Sequence, residues 1–346
     1  MDKASKETFR LLDKAMVRFT ILFIGVLLFM FSPYFSSLNF ESSAKFGDTL
    51  SGLSAAFIGS LGVTFTFLAF WVQFQANQQQ RKDIQVERFE SKLYSLLEIH
   101  RNNVNETTIG KTTLGRKAFV SMFSELKFTF HAVEEYYINF YRVHFPNDEV
   151  PEGIRYNTSY IIFFFGVGPN SSPIVLDLIG PQYQIFFAGV ESYLMGYQRT
   201  WRTARSQGQT IAVPTANGIF ELDLKYKPCN GHMSKLSHYI RHLYRLVKFV
   251  HDSQIFNYDE KYQYVSTIRS QLSSHEQLLV YYNALSVLGQ PWLDEPNYLS
   301  EYCVIKSVPL PLADFYRHPQ AVLGEINSHG QRIFEWAEIQ ERIQMV

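Results

Sequence analysis

"WVQFQANQQQRKDIQVERFESKLYSLLEIHRNN", Trp71 to Asn103, contains neither glycine nor proline. It begins apolar, passes through a tract of Gln and Asn, and ends charged. With no breaker present, it reads as one uninterrupted helix leaving an apolar segment. That segment decides the fold. Thr49 to Gln80 carries no charge, and its apolar part runs from about Leu50 to Phe74. This satisfies the roughly 17–25 residues that a membrane crossing requires. Trp71 stands where an interface anchor belongs. Upstream, Phe19 to Phe35 is charge-free and almost wholly apolar, with Tyr34, Phe35 and Phe40 placed for the far interface. No small-x-small cleavage site follows it convincingly, and a second span comes soon after, which argues against a signal peptide.

The fold expected is therefore mainly α. A two-helix transmembrane hairpin occupies residues 1–80, with spans about 19–36 and 50–74 joined by Ser36 to Asp48. A helical cytoplasmic domain follows over 81–346. Basic residues set the orientation. Lys3, Lys6, Arg10, Lys14 and Arg18 precede the first span, only Lys45 lies in the connection, and Arg81, Lys82, Arg88 and Lys92 follow the second. Both termini are expected on the cytoplasmic side of an inner membrane. Ser51, Ala55 and Gly59 form a small-residue stripe at helical spacing, which lets helices approach closely in lipid, within the chain or between copies. Asp48 before Thr-Leu-Ser is read as an N-cap.

Lys+Arg and Asp+Glu number 32 each, so the formal net charge is zero. A protein that coats nucleic acid over its whole surface is excluded; a local basic patch is not. Cys229 and Cys303 form no CxxC and no disulfide framework, which suits a reducing compartment.

In the cytoplasmic part, Ile84, Phe89, Leu93, Leu96, Leu97 and Ile99 are the expected apolar face of the exit helix. A second helix is predicted from Arg116 to about Phe145, ended by Pro146. "YIIFFFGVG" is too short to span a bilayer and reads as buried core. "IVLDLIGPQYQIFFAGVESYLMGYQRTW" reads as one or two core helices. Phe220, Leu222, Leu224 and Tyr226 alternate with charged residues, and Asn217-Gly218 precedes them, so a β-hairpin is expected over about 209–226. Helices are then expected from His232 to about Asp252, from Asp259 to about Leu288, and from Gly330 to Gln344.

Chemistry is sparse. "GKTT", Gly110 to Thr113, lacks the glycine a phosphate loop needs at 105, where Asn stands, and it follows a helix. "GHMSKLSHYIRHLYRLVKFVH" is more informative. Leu236, Ile240, Leu243, Val247 and Val250 make one face of a helix. Lys235, His238, Arg241, His242, Arg245 and Lys248 gather on another. Such a band suits a phosphate, a nucleotide or a nucleic-acid backbone, or else a solvated face or ion pairs with acids elsewhere. His238 and His242 are four apart, but no HExxH and no cysteine pair completes a metal site. No cofactor is implied. Arg245/His251 and Arg269/His275 both match the loose Arg-to-His spacing of HEPN-type ribonucleases, a permissive pattern and the one catalytic reading the sequence offers. Otherwise no enzyme signature stands out.

The exit stretch "FWVQFQANQQQRKDIQVERFESKLYSLLEIHRNNVN", then "GHMSKLSHYIRHLYRLVKFV" and "EKYQYVSTIRSQLSSHEQLLVYYNALS", in that order resemble the putative phage abortive infection protein family, often called AbiC-like. The resemblance covers the exit of the second span and two late helices. It implies a bacterial antiviral role in which an infected cell stops growing or dies. It is also compatible with two-span toxin effectors of retron modules, held silent by a reverse transcriptase with its RNA–DNA. Three readings stay open: an oligomeric effector that breaches the membrane, a membrane-tethered ribonuclease, and a non-catalytic tether for a nucleic-acid-containing partner.

Overall fold

One helix, α1, runs from Phe40 to Glu106. The computed structural model describes residues 40–109, 113–215 and 218–344, with the single positions 18, 21, 25 and 28, which are helical. The chain divides into two units, Met1–Gln85 and Val86–Val346.

In the first unit the stretch of α1 from Thr49 to Gln80 carries no charge and is apolar from about Leu50 to Phe74. Ile58, Val63, Phe65, Phe67, Phe70 and Val72 each leave half or more of their surface exposed. They point to every side of the helix, as in a segment whose solvent is not water. The Thr64 hydroxyl donates to the Ser60 carbonyl and the Thr66 hydroxyl to the Gly62 carbonyl, both at 2.8 Å. Their polar hydrogens are thus satisfied within the helix, as a lipid setting demands. By length and composition α1 is able to cross a membrane. The expected first span, about 19–36, lies outside the described residues apart from positions 21, 25 and 28. The expected connection needs correction: Phe40 to Asp48 is already helix. Asp48 is therefore no N-cap. It sits inside α1, and its carbonyl accepts from the Ser51 hydroxyl at 2.9 Å.

In the second unit, the end of α1 docks through Phe89, Leu93, Leu97, His100 and Val104, all buried. Their spacing of three and four keeps them on one face. Ile84 and Ile99, expected on that face, are exposed; the stripe drifts one position and His100 takes the inward place. A short hairpin follows, β1 (Thr108–Ile109) with β2 (Thr113–Leu114). It surrounds the "GKTT" stretch, whose positions 110–112 lie outside the described residues.

Helix α2 (Arg116–Tyr136) is the centre of this unit; a π-helical turn, Tyr137–Tyr141, carries it on. Phe119, Met122, Phe123 and Leu126 feed one core cluster, and Phe128, Ala132 and Val133 feed another. The second cluster is closed by α3 (Glu152–Phe165), α4 (Ser172–Ile179), α5 (Gln184–Ser206) and a hairpin. That hairpin pairs β3 (Ile211–Thr215) with β4 (Gly218–Leu222), in the register Ile211 to Leu222. It is shorter than the expected 209–226, and Ile211, Val213 and Leu222 point inward. "YIIFFF" is the buried end of α3.

The first cluster takes α6 (Met233–His251), α7 (Tyr258–Arg269) and α8 (Ser274–Leu285). The single helix expected from Asp259 to Leu288 is thus two. Ser273 caps α8: its hydroxyl accepts from Glu276 N, and the Glu276 carboxylate accepts from Ser273 N at 2.8 Å. This S-x-x-E capping box satisfies donors that a continuous helix would not leave free. Three short helices follow, α9 (Tyr298–Glu301), α10 (Pro319–Leu323) and α11 (Glu335–Gln344). α11 begins five residues after the expected Gly330, and Ile333 and Phe334 are buried just ahead of it.

Docking of α1 through this stripe sets an expectation. Leu93→Ala removes a fully buried side chain and costs about 2–5 kcal/mol. Tyr94→Ala, on the exposed side, changes stability by less than about 0.5 kcal/mol. Urea unfolding of the detergent-solubilised chain compares them, and equal effects would mean that this face is not docked.

Candidate functional site

Helix α6 is the element on which the polar features of the second unit converge. Its start is held by a turn, Cys229-Asn230-Gly231-His232. The His232 amide donates to the Phe164 carbonyl at 2.8 Å, and the Val167 amide donates to the Cys229 carbonyl at 3.0 Å. Backbone meets backbone so closely that a side chain at Gly166 would strike Asn230, and one at Gly231 would strike the Phe165 carbonyl. Both glycines also have positive φ, at 88° and 86°. Below the turn lies Glu125 of α2, fully buried. Its Oε2 is 2.7 Å from His232 Nε2, and its Oε1 accepts from the Cys229 amide at 2.6 Å. Burial, and then the Glu125 charge, push the Cys229 thiol well above its usual range, so it stays protonated.

From that anchor α6 presents three sides. Leu236, Tyr239, Ile240, Leu243, Leu246, Val247 and Val250 are buried. Towards α1, Phe89 stacks on Phe249 at 4.8 Å and meets Phe256 and Tyr264 edge-on at 4.7 and 5.1 Å. Further along, His100 lies 4.9 Å from Tyr239 and 5.9 Å from His242. Neither ring nitrogen of His100, nor Nδ1 of His242, has a hydrogen-bond partner. Burial, with His242 beside it, lowers the His100 pKa to about 4. Burial, and then Arg245, lower that of His242.

The third side carries the cation band. His238, Arg241, Arg245 and Lys248 are exposed and Lys235 is half-buried. His242 departs from the band, since its ring turns inward to His100. Among the described residues only Lys248 of this set forms an ion pair, with Asp252 at 3.1 Å. Ion pairs with distant acids are therefore not what the band is for. Among the described residues no three His, Cys, Asp or Glu side chains gather as a metal site would need.

The two Arg/His pairs are placed as follows. Arg245 is exposed, and six residues on, about 120° round the helix, His251 bonds through Nδ1 to the Tyr302 hydroxyl at 2.8 Å. Arg269 ends α7, and its guanidinium donates to the carbonyls of Cys303 and Tyr302 at 2.9 and 3.4 Å. His275 opens α8 with its ring edge-on to Phe123 at 5.7 Å. One member of each pair, His251 and Arg269, thus meets Tyr302. In the first unit Ser51, Ala55 and Gly59 are exposed along α1. A methyl carbon built on Gly59 meets no atom within 4 Å among the described residues.

Beside the cations a cleft of about 430 Å³ opens between α6 and the turn Gln290–Trp292. Sequence reasoning missed it, and missed Glu125, His100 and Asn283 as well. Glu125 had a local signal: it falls on the apolar face with Met122 and Thr129. The cleft had none, because its walls come from residues 164–165, 233–244 and 283–292.

Residues 231–311, from the Gly231 turn through α6, α7 and α8, match the family model described as "Putative phage abortive infection protein". No curated protein and no solved structure matches the chain.

The buried imidazoles make stability depend on pH. Burial, then Lys127, lower His131 to about 4 as well, against a smaller opposing effect of Asp314. Between pH about 6.5 and 4 the unfolded chain binds protons that these two folded residues refuse. Stability is therefore full above pH 6.5 and falls as pH drops towards 4. His100 contributes up to about 1.4 kcal/mol per pH unit, and half-buried His131 less, because solvent screens it. Denaturant unfolding from pH 7.5 to 4.5 is expected to show this loss, with a shallower slope for His100→Leu; an unchanged slope would mean that His100 titrates normally.

Proposed function

On the premise that residues 231–311 carry the abortive infection family's segment, we propose that this chain is a membrane effector of phage defence. It sits in the bacterial inner membrane as a multi-pass protein with both termini cytoplasmic. Its helical domain senses infection, and its transmembrane helices, oligomerised, breach the membrane. The observation that carries this reading is α1. Its apolar stretch and its docked stripe belong to one helix with no glycine or proline from Val63 to Glu106. A change in the domain is then passed along the helix, where a flexible linker would dissipate it. Two helices cannot enclose an aqueous path, since polar lining must be screened from lipid on all sides. Hence the effector acts as an oligomer, and the exposed Ser51/Ala55/Gly59 stripe supplies a close helix contact.

Membrane integrity tests the breach. In cells carrying the intact defence system, propidium iodide uptake is expected soon after phage infection, and Gly59→Leu is expected to abolish it at equal expression. Among the described residues nothing lies within 4 Å of a side chain built at Gly59, so the larger residue meets no obstacle there. Uptake unchanged by the variant removes the stripe as the contact. An intact membrane while growth stops would redirect the reading to RNA cleavage, to be followed with His251 and His275 variants. A Gly/Ser insertion after Gln79 tests the helix itself: expression is expected to persist and defence to be lost. Full defence with the insertion would sink the coupling.

A further inference from the structure

The cleft beside the cation band is built as a ligand site. Its walls are apolar and aromatic, with Phe165, Leu236, Ile240, Tyr244 and Trp292 among them. Its volume, about 430 Å³, falls in the range of small-molecule sites, roughly 300–1,000 Å³. Three polar side chains line it: Ser237, Arg241 and Asn283. Asn283 is 2 % exposed, yet its Oδ1 has no hydrogen-bond partner. The amide is held from behind, where Nδ2 donates to the Tyr160 hydroxyl at 2.8 Å. Gly289 packs over this residue; any side chain there would collide with the backbone and side-chain oxygens of Asn283, so only glycine lets the turn lie this close. A buried carbonyl oxygen with no partner costs free energy until a donor reaches it.

The other two polar groups want the opposite charge. Arg241 is exposed and, among the described residues, faces no carboxylate within ion-pair distance. Its Nη2 donates to the Ser237 hydroxyl at 3.3 Å, which leaves the hydroxyl proton free to donate. A guanidinium and a hydroxyl donor side by side suit a phosphate. Between phosphate donors and a buried acceptor lies an aromatic-walled slot.

From this we infer that the cleft binds a purine mononucleotide, its phosphate on Arg241 and Ser237, its ring against Tyr244 and Trp292, and its amino group reaching Asn283 Oδ1 as the Gly289 turn gives way. Arg245 on the same helix, without an ion pair among the described residues, adds positive charge. This deepens the functional reading above and rests on it only for what binding does: the ligand is the chemical signal, or the silencing factor, that the domain reads.

Binding is measured apart from defence, so the two failures are distinguishable. The full chain in nanodiscs is titrated calorimetrically with AMP and GMP, and with adenosine and guanosine. Binding of at least one nucleotide is expected, weakened at least tenfold when the phosphate is removed. Arg241→Ala is expected to weaken the nucleotide by a similar factor and to leave the nucleoside unchanged. Ser237→Phe, which fills the slot from a half-buried helix position, abolishes both. Purine riboside 5′-monophosphate, which lacks the amino group, binds at least tenfold more weakly than AMP if AMP is the ligand. Thermal melts confirm that each variant is folded. The inference is overturned if neither nucleotide binds, if Arg241→Ala weakens nucleotide and nucleoside alike, or if only single-stranded oligonucleotides bind.

Discussion

A carboxylate with no access to water holds the helical domain in register. Glu125 stands on α2 where the two core clusters meet, and reaches across to the turn that starts α6. Taking a charge out of water is costly, and only full pairing offsets the cost. Glu125 is paired on both oxygens, to the His232 ring and to the Cys229 amide. Removing one partner leaves the other buried and without its hydrogen bond, which costs more than the bond itself contributes. The contact need not make the fold more stable than an apolar pair would. It does make the position of α6 specific. Gly166 and Gly231 serve the same end, because only without side chains do the two backbones approach this closely.

Everything with chemical potential in the domain then refers to α6. The same helix gives Phe249, Tyr239 and His242 to the end of α1, Ser237, Arg241 and Tyr244 to the cleft, and three exposed cations with His238 to solvent. Tyr239 and Ile240 are neighbours in sequence, yet one rests on His100 and the other lines the cleft. A small rotation or slide of α6 cannot alter one contact and spare the other. Packed cores respond to such shifts in discrete steps and do not yield gradually.

Much of this was legible in the sequence, and the rest was not for definite reasons. The long apolar helix was legible because a charge-free apolar run from about Leu50 to Phe74, with Trp71 near its end, has the length a bilayer crossing needs. The buried stripe of α6 followed from helical spacing alone, and all five residues assigned to it are buried. The exit helix was legible as a helix but not in its rotation: Ile99 looks more apolar than His100, yet the His100 imidazole packs tilted against Tyr239 and nearly parallel to His242. The division of α7 from α8 was written in Ser273 and Glu276 and obscured by the apolar periodicity on both sides. Asp48 looked like a cap because Asp before Thr and Ser so often is one; helix-compatible residues from Phe40 onward carry the helix through it. What no local pattern holds is proximity. Glu125 and His232 are 107 positions apart, and the cleft is assembled from three separate segments.

The energetics limit how the domain can act on α1. Burying the stripe Phe89, Leu93, Leu97 and Val104 is worth together on the order of 6–12 kcal/mol. A ligand shifts a conformational equilibrium only by its difference in affinity for the two states. Reversing a population from 1:99 to 99:1 requires a difference of about 5.5 kcal/mol. That is at or below the smallest cost of undocking the stripe. Release of α1 from the domain is therefore the wrong picture for a small ligand in the cleft. A change of α6 that keeps the stripe buried while altering its register is within reach, because it exchanges contacts and does not abandon them. Such a change carries no signal unless α1 moves as a body. Between Val63 and Glu106 the helix has no glycine or proline, so this stretch carries none of the roughly 1–3 kcal/mol penalty that each such break would bring.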